Sequence, residues 1–224
     1  MSAAVDTFVQ ALSRVTLEHV FNPYAERCPL HDRRDAPARR QQNLALSLQT
    51  AIELKVRTIW IARDLGYRGG RRTGLALTDE VHLDSYSSLF QGLRVAKATM
   101  GPAVSERTAS VIWQMLLRLG EPVFLWNVFP LHPHEPDDPM SNRCHTRRER
   151  ETCSRFLHEI LDLLQPETVI AIGGDAHRAV DSLGIDSLQV RHPSYGGQNT
   201  FIAQIEAAYS LPPNRTPDLF TQLA

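Results

Sequence analysis

Short runs of consecutive apolar residues alternate along this chain with longer segments in which apolar residues recur every three or four positions. The short runs are rich in β-branched and aromatic residues and predict strands buried on both faces. They lie at 56–62, 122–128, 168–172 and 187–190. The longer segments have the spacing of amphipathic helices. They lie at 5–20, 39–54, 105–119, 146–164, 175–183 and 198–209.

This alternation predicts an α/β fold in three layers, with helices on both faces of a central, mostly parallel sheet of four strands. The whole chain, 1–224, is expected to form a single domain, because its length suits one α/β unit. Residues 1–40 are interpreted as an N-terminal helix followed by an irregular arm. The segments 63–74 and 130–142 are rich in glycine or proline and are predicted to be loops. The proline-containing tail, 210–224, is expected to be loosely held.

Composition excludes some functions without identifying one. The formal net charge of −1 argues against a generally polybasic nucleic-acid binder, although local cation clusters are enough to bind phosphates. Two such clusters, 63–72 and 143–150, hold four arginines each; the alternative is that both are solvated surface. No stretch of about 18 apolar residues occurs, so no membrane span is expected. Three cysteines without a Cys-x-x-Cys pair indicate a reduced, cytoplasmic setting, and a monomer is expected.

Polar residues follow or interrupt the apolar strands at positions that a parallel sheet brings to one edge. Asp64 comes directly after the first strand, Asn127 lies inside the second, and His192 opens a His-Pro-Ser turn after the fourth. Open α/β sheets place their binding sites outside the carboxyl ends of the strands, so these side chains are candidate site residues. Each also has a structural alternative, as a loop cap, a loop anchor or a turn histidine.

Three segments resemble the uracil-DNA glycosylase superfamily in type and order. They are Ala-Arg-Asp-Leu-Gly-Tyr at 62–67 with Thr-Gly-Leu-Ala at 73–76, Leu-Trp-Asn-Val at 125–128, and His-Pro-Ser at 192–194. The resemblance covers roughly residues 56–197 and implies an enzyme that flips a nucleotide out of DNA and hydrolyses its glycosidic bond. It implies that Asp64 stays ionised, stabilises the sugar cation and orients water. A neutral His192 would donate a hydrogen bond to the pyrimidine O2.

The same resemblance implies further contacts with the base and the DNA, and it implies no cofactor and no metal. Asn127 would read the base edge, because its amide both donates and accepts. Ser194 and the glycines after it would hold phosphate. Tyr195 or Gly196 would lie where the family places a wedge that fills the gap left in the stack.

Departures from the family bear on the target base. Gly66 replaces the tyrosine that faces C5 of the base in uracil-specific members, which predicts open volume there; the alternative is that Gly66 only serves a tight turn. Leu77 replaces a stacking phenylalanine, so Tyr67 is a candidate for stacking. The target is therefore either uracil or a 5-modified cytosine, such as glucosylated hydroxymethylcytosine in phage DNA.

Three arginines of the first cluster are expected to reach a polar 5-substituent or phosphate; they are Arg68, Arg71 and Arg72. The alternative to an enzyme is a catalytically idle module that binds DNA or a nucleotide on the same fold. The Cys-His pairs at 28–31 and 144–145 do not have the spacing of a recognised zinc finger. The turn at 173–175 lacks the residues of a nucleotide-binding loop.

Overall fold

Strands and helices alternate in the second half of the chain, while the first half carries shorter and more varied elements. The computed structural model describes residues 2–213. Its strands are β1 (Val20–Phe21), β2 (Thr58–Asp64), β3 (Phe124–Phe129), β4 (His132–Pro133), β5 (Thr168–Ile172) and β6 (Leu188–Val190). Its helices are α1 (Ala3–Ser13), α2 (Ala36–Glu53), α3 (Gly70–Thr73), α4 (Leu83–Leu89), α5 (Arg107–Leu119), α6 (Arg147–Leu164), α7 (Gly174–Asp181) and α8 (Gln198–Ala208), with a 3-10 turn at Glu80–His82.

The central sheet has four strands in the order β3-β2-β5-β6, and every neighbouring pair is parallel. This confirms the predicted α/β fold with its four-stranded sheet. The connection from β2 to β3 runs toward one edge of the sheet, and the connection from β5 to β6 runs toward the other edge. Right-handed connections therefore place α5 and α7 on opposite faces. The order reverses between β2 and β5, which is where such sheets form a crevice at their carboxyl edge.

Aromatic side chains fill the core on both faces of the sheet. On one face Trp60 of β2 meets Phe201 of α8, with ring centroids 6.0 Å apart. On the other, Phe8 of α1 lies 5.8 Å from Trp126 of β3 and 5.7 Å from Phe156 of α6. These rings hold the helices against the sheet and fix the ends of β2 and β3.

Several short elements differ from the sequence prediction. The first helix ends at Ser13, and Val20–Phe21 instead pairs antiparallel with His132–Pro133. The predicted loop 63–74 contains the short helix α3, and α4 was not predicted at all.

The C-terminal tail is described only as far as residue 213. Within that part Arg118 of α5 donates a hydrogen bond to the Pro212 carbonyl, 2.8 Å away. Most of the tail that is expected to be loose, 214–224, lies outside the described residues. Among the helices of residues 2–213, none is both long and apolar enough to cross a membrane.

Candidate active site

Two acidic side chains meet one arginine across the crevice between β2 and β5. Arg63, near the end of β2, donates from Nε to Asp64 Oδ2 at 2.6 Å and from Nη1 to Asp175 Oδ2 at 3.0 Å. The hydrogen bond from Arg63 lowers the pKa of Asp175. The arginine therefore links the ends of β2 and β5 and brings a positive charge against Asp64.

Asp64 is the most constrained acid at this edge, with a side chain only 8% exposed. Its second oxygen, Oδ1, forms a short hydrogen bond with His145 Nδ1. The His145 ring is itself buried and lies 5.4 Å from the ring of Phe129, the residue opposite Asp64 on β3. Two partners from separate parts of the chain thus fix the orientation of one carboxylate.

The sequence predicted no active-site role for His145, which stood out only as a possible metal ligand. It directly precedes α6, whose first turn carries a full capping box between Thr146 and Glu149. Arg143 pairs with Glu149 at 2.6 Å and holds the same segment. The sequence did contain one indication: a polar residue directly before a capping box lies on a backbone that the box holds in place.

Asn127 faces the same side of the sheet as Asp64, since it pairs with Ala62, two residues earlier on β2. Its side chain is buried, and neither the amide nitrogen nor the amide oxygen has a hydrogen-bond partner among residues 2–213. Leaving a buried polar group without a partner costs about 1–3 kcal/mol. Asn127 therefore does not anchor a loop, and its free donor and acceptor suit a ligand that supplies both counterparts.

His192 presents one ring nitrogen with a defined role. The Ser194 backbone N–H donates to His192 Nδ1 at 3.2 Å, and Ser194 Oγ lies 2.8 Å from the same nitrogen. Because Nδ1 accepts, the neutral ring carries its proton on Nε2. Burial lowers the pKa of His192 to about 4, and the charges of Arg63 and Arg191 add to this effect. At neutral pH the ring is therefore an uncharged hydrogen-bond donor.

The turn after His192 projects an aromatic residue into solvent. Tyr195 is 98% exposed and has a φ of 49°, in the left-handed region that non-glycine residues rarely adopt. Gly196 follows with a φ of 75°. At Gly197 a side chain would overlap the carbonyl of His192, so the turn can close only with glycine there. The tight turn carries Tyr195 outward from the edge that holds His192.

Comparison with known proteins bears on what this edge does. The model of the uracil DNA glycosylase superfamily matches residues 68–210, which include Asn127 and His192 and begin just after Asp64. The chain belongs to this superfamily. Its fold is similar to that of wild-type SMUG2 from Pedobacter heparinus, with a TM-score of 0.61, 14% identity, and coverage of 94% of this chain and 97% of that one. No curated protein matches the sequence. Membership in the superfamily supports activity as a DNA glycosylase.

The prediction of open volume beside Gly66, which was based on a departure from the superfamily pattern, is wrong. A Cβ built on Gly66 would overlap the carboxyl oxygen Oε1 of Glu106, and one built on Gly69 would overlap Oε2. The glycines leave room, but a side chain from the start of α5 already fills it. Sequence spacing gave no sign of this contact, which joins residues 40 positions apart.

Tyr67 and Leu77 are the other two residues predicted to contact the base. Tyr67 is half-buried, and its backbone N–H donates to Asn142 Oδ1 at 3.0 Å. Leu77 is part of the hydrophobic core and has a φ of 53°. Their roles in stacking against a base remain predictions.

The prediction that Arg71 and Arg72 reach DNA or a base substituent is wrong, because both side chains are buried. Arg71 lies over the ring of Phe21, 3.9 Å from its centroid, and contacts His132 Nδ1 at 2.9 Å. Arg72 pairs with Glu80 at 3.1 Å. Only Arg68 of the three is exposed, with its Nε donating to the Ser105 carbonyl. Among residues 2–213 no group of three or more His, Cys, Asp or Glu side chains is arranged to hold a metal.

Proposed function

We propose that this protein is a monofunctional DNA glycosylase that flips a pyrimidine nucleotide out of DNA and hydrolyses its glycosidic bond to leave an abasic site. One observation carries the proposal: the buried amide of Asn127, with its donor and acceptor unpaired, lies on the same face of the sheet as Asp64. A pyrimidine edge supplies an acceptor and a donor at hydrogen-bonding distance from each other. Such an edge satisfies both atoms of the Asn127 amide at once.

In the proposed reaction the bond between C1′ and the base nitrogen breaks, and its electron pair leaves with the base. His192 donates a hydrogen bond from Nε2–H to the pyrimidine O2, on which negative charge builds, and the neutral ring keeps its proton throughout. Asp64 faces the cationic sugar and orients the water that attacks C1′. The proton released by this water passes through Asp64 to solvent, and the departing base is protonated from solvent.

The DNA contacts of the proposal use the turn after β6. Ser194 and Gly196 hold phosphate, and exposed Tyr195 fills the gap in the duplex from which the nucleotide has left. Unstacking a base costs a few kcal/mol, which an inserted aromatic side chain partly offsets. Arg68 adds a cation to the same DNA-facing edge. One chain supplies every part of the site, so the proposed enzyme acts as a monomer, and it acts in the cytoplasm.

The proposed target is uracil or a 5-modified cytosine. Uracil would give the protein a role in repair, and hydroxymethylated or glucosylated cytosine would give it a role against phage DNA. The second candidate function, a catalytically idle DNA-binding module, shares the fold and the surface but predicts no bond cleavage.

The test is a panel of single- and double-stranded oligonucleotides that carry uracil, thymine opposite guanine, 5-hydroxymethylcytosine or its glucosylated form. Wild-type protein should produce alkali-labile abasic sites from at least one of them. Asp64→Asn should lower that rate by about a hundred- to a thousandfold, whereas Asp162→Asn, on the exposed side of α6, should not change it. Binding without abasic product from any substrate would favour the idle module and reject the proposal.

A further inference from the structure

The carboxyl group of Glu106 sits between two glycines of the loop that follows β2. The loop leaves β2 at Asp64, and its first glycine, Gly66, comes two residues later. The space taken by the carboxyl exists only because Gly66 and Gly69 have no side chains, since a Cβ on either would overlap one of its oxygens. The carboxyl therefore lies beside the loop that continues from Asp64.

Glu106 is held in place by its backbone and not by its side chain. It is the N-cap residue of α5, but its carboxyl makes no capping hydrogen bond to that helix. Its backbone N–H donates to Oδ2 of the buried Asp79 at 2.6 Å. Asp79 also bonds His82 at 2.6 Å, and the His82 ring stacks on Trp113 of α5, with centroids 5.9 Å apart. The anchored backbone leaves the side chain directed away from the helix and into the loop.

The carboxyl is an acceptor without a donor. Within the part of the chain that the structure describes, the hydrogen bonds of Glu106 are made by its backbone N–H and carbonyl, and none reaches its carboxyl oxygens. Burial raises the pKa of Glu106 to about 7, and the negative charge of Asp79 raises it further, while Arg68 works against this. A half-buried carboxyl with a raised pKa and no protein donor, beside the loop that follows Asp64, is a candidate for ligand recognition.

We propose that Glu106 selects the target base, by accepting a hydrogen bond from a hydroxyl group on a substituent at C5 of the flipped pyrimidine. This inference rests on the proposed function. In the proposed function Asn127 and His192 take the polar edge of the base, and we place C5 on the side of the loop that follows Asp64, beside which the Glu106 carboxyl lies. Uracil and thymine have no donor at C5, whereas a hydroxymethyl group or a sugar attached to it presents one.

Two groups on a modified cytosine could donate a hydrogen bond to Glu106. A 5-hydroxymethyl group donates from C5, and the amino group of cytosine donates from C4. Four substrates distinguish them: uracil, 5-hydroxymethyluracil, cytosine and 5-hydroxymethylcytosine, each in the same oligonucleotide. The measured quantity is the ratio of kcat/KM for the hydroxymethylated base to that for its unmodified partner.

The variant is Glu106→Gln, which keeps the shape of the side chain between the glycines and removes its charge. A hydrogen bond to a charged acceptor supports roughly a tenfold preference, so the ratio should fall about tenfold in the variant. In wild type the ratio should rise between pH 6 and 8, as the carboxyl ionises and becomes a stronger acceptor; in the variant it should stay constant. Glu121→Gln, an exposed change before β3 at the opposite edge of the sheet, is the matched control.

Each result has one meaning. An unchanged ratio in Glu106→Gln, with abasic product still formed, would overturn the role of Glu106 and leave the proposed function intact. If Glu106→Gln instead lowers kcat/KM for the two cytosine substrates relative to the two uracil substrates, whether or not the 5-hydroxymethyl group is present, the assignment to C5 would be overturned. No abasic product from any substrate by wild-type protein would reject the proposed function, and this inference with it. Thermal unfolding of the variant checks that it remains folded.

Discussion

Asp64 takes its orientation from two residues with different origins in the sequence. Arg63 is its neighbour on β2, whereas His145 lies 81 positions away at the start of α6. Because the two partners bind different oxygens, the carboxylate cannot rotate without breaking one contact. A positioning role for His145 follows, since small displacements of a reacting group cost large factors in rate.

At the residue scale we therefore predict that His145→Ala lowers kcat by about 10- to 100-fold with little change in KM. His145→Asn should restore most of the rate, because its amide nitrogen replaces Nδ1 as the donor to Asp64. Steady-state kinetics on the best substrate of the panel measure both. His158→Ala, an exposed change on α6, is the control. Equal activity of the alanine and asparagine variants would contradict a positioning role.

The space beside Gly66 could be predicted only in part from the sequence. The missing side chain is visible in the sequence, but the open volume that it predicts is not present in the structure. What fills that room is decided by Glu106, whose side chain reaches the loop from α5. The asparagine in the apolar strand was identifiable in advance for the opposite reason, since a polar residue in a buried run is conspicuous without any tertiary information.

At the element scale, the irregular arm between β1 and α2 depends on one side chain of α2. Arg40 is fully buried and pairs with the buried carboxylate of Asp32 at 2.5 Å. Its Nε also donates to the Arg72 carbonyl at 3.0 Å. Gly74 lies against Arg40, and a Cβ there would stand 2.6 Å from the Arg40 Cβ. The arm is thus tied through α2 to the loop that carries Gly66.

We predict that Arg40→Met lowers the free energy of unfolding by about 3–5 kcal/mol, because the buried Asp32 carboxylate loses its arginine partner and keeps only the Cys28 backbone N–H and the weakly placed His31 ring. Arg39→Met is the matched control one position earlier. Arg39 pairs with Asp35 at the surface, and its loss should cost less than about 1 kcal/mol. Urea denaturation of the three proteins measures the difference. Equal effects of the two substitutions would show that the arm does not depend on Arg40.

Element length decided which parts of the fold were predictable. The four strands of the central sheet and the five longer helices after residue 35 were predicted within a few residues, because each buries a periodic or continuous apolar face. The two-residue strands β1 and β4 pair across 111 to 113 positions and have no local signal. The helix α4, Leu-Asp-Ser-Tyr-Ser-Ser-Leu, contains three serines, which favour helices poorly, and is stabilised by packing instead.

At the scale of the whole molecule, three histidines are kept uncharged by the fold. Burial is the largest cause in each, and it lowers the pKa of His132 to about 3 and the pKa of His31 and His192 to about 4. The unfolded chain binds protons at these rings below a pH of about 6.5. Glu106 acts in the opposite direction, since its pKa is raised to about 7 in the folded state.

We therefore predict that the free energy of unfolding falls by at least about 2 kcal/mol as the pH is lowered from 6.5 to 4, because the unfolded state takes up more protons than the folded one. Denaturation curves at intervals of pH measure the slope. His132→Asn should reduce the slope in that window by about one proton, since the amide oxygen replaces Nδ1 as the acceptor from Arg71. A stability that rises toward pH 4 would contradict this account.

The sequence by itself determined the α/β class, the parallel sheet and the identity of Asp64, Asn127 and His192 as site candidates. These follow from hydrophobic periodicity and from polar residues at strand ends, which are local properties of the chain. Only the tertiary structure decided that His145 binds Asp64, that Glu106 fills the space beside Gly66, and that Arg71 and Arg72 are buried. Each of these depends on packing between segments far apart in sequence, and the burial and charge that result cannot be read from spacing.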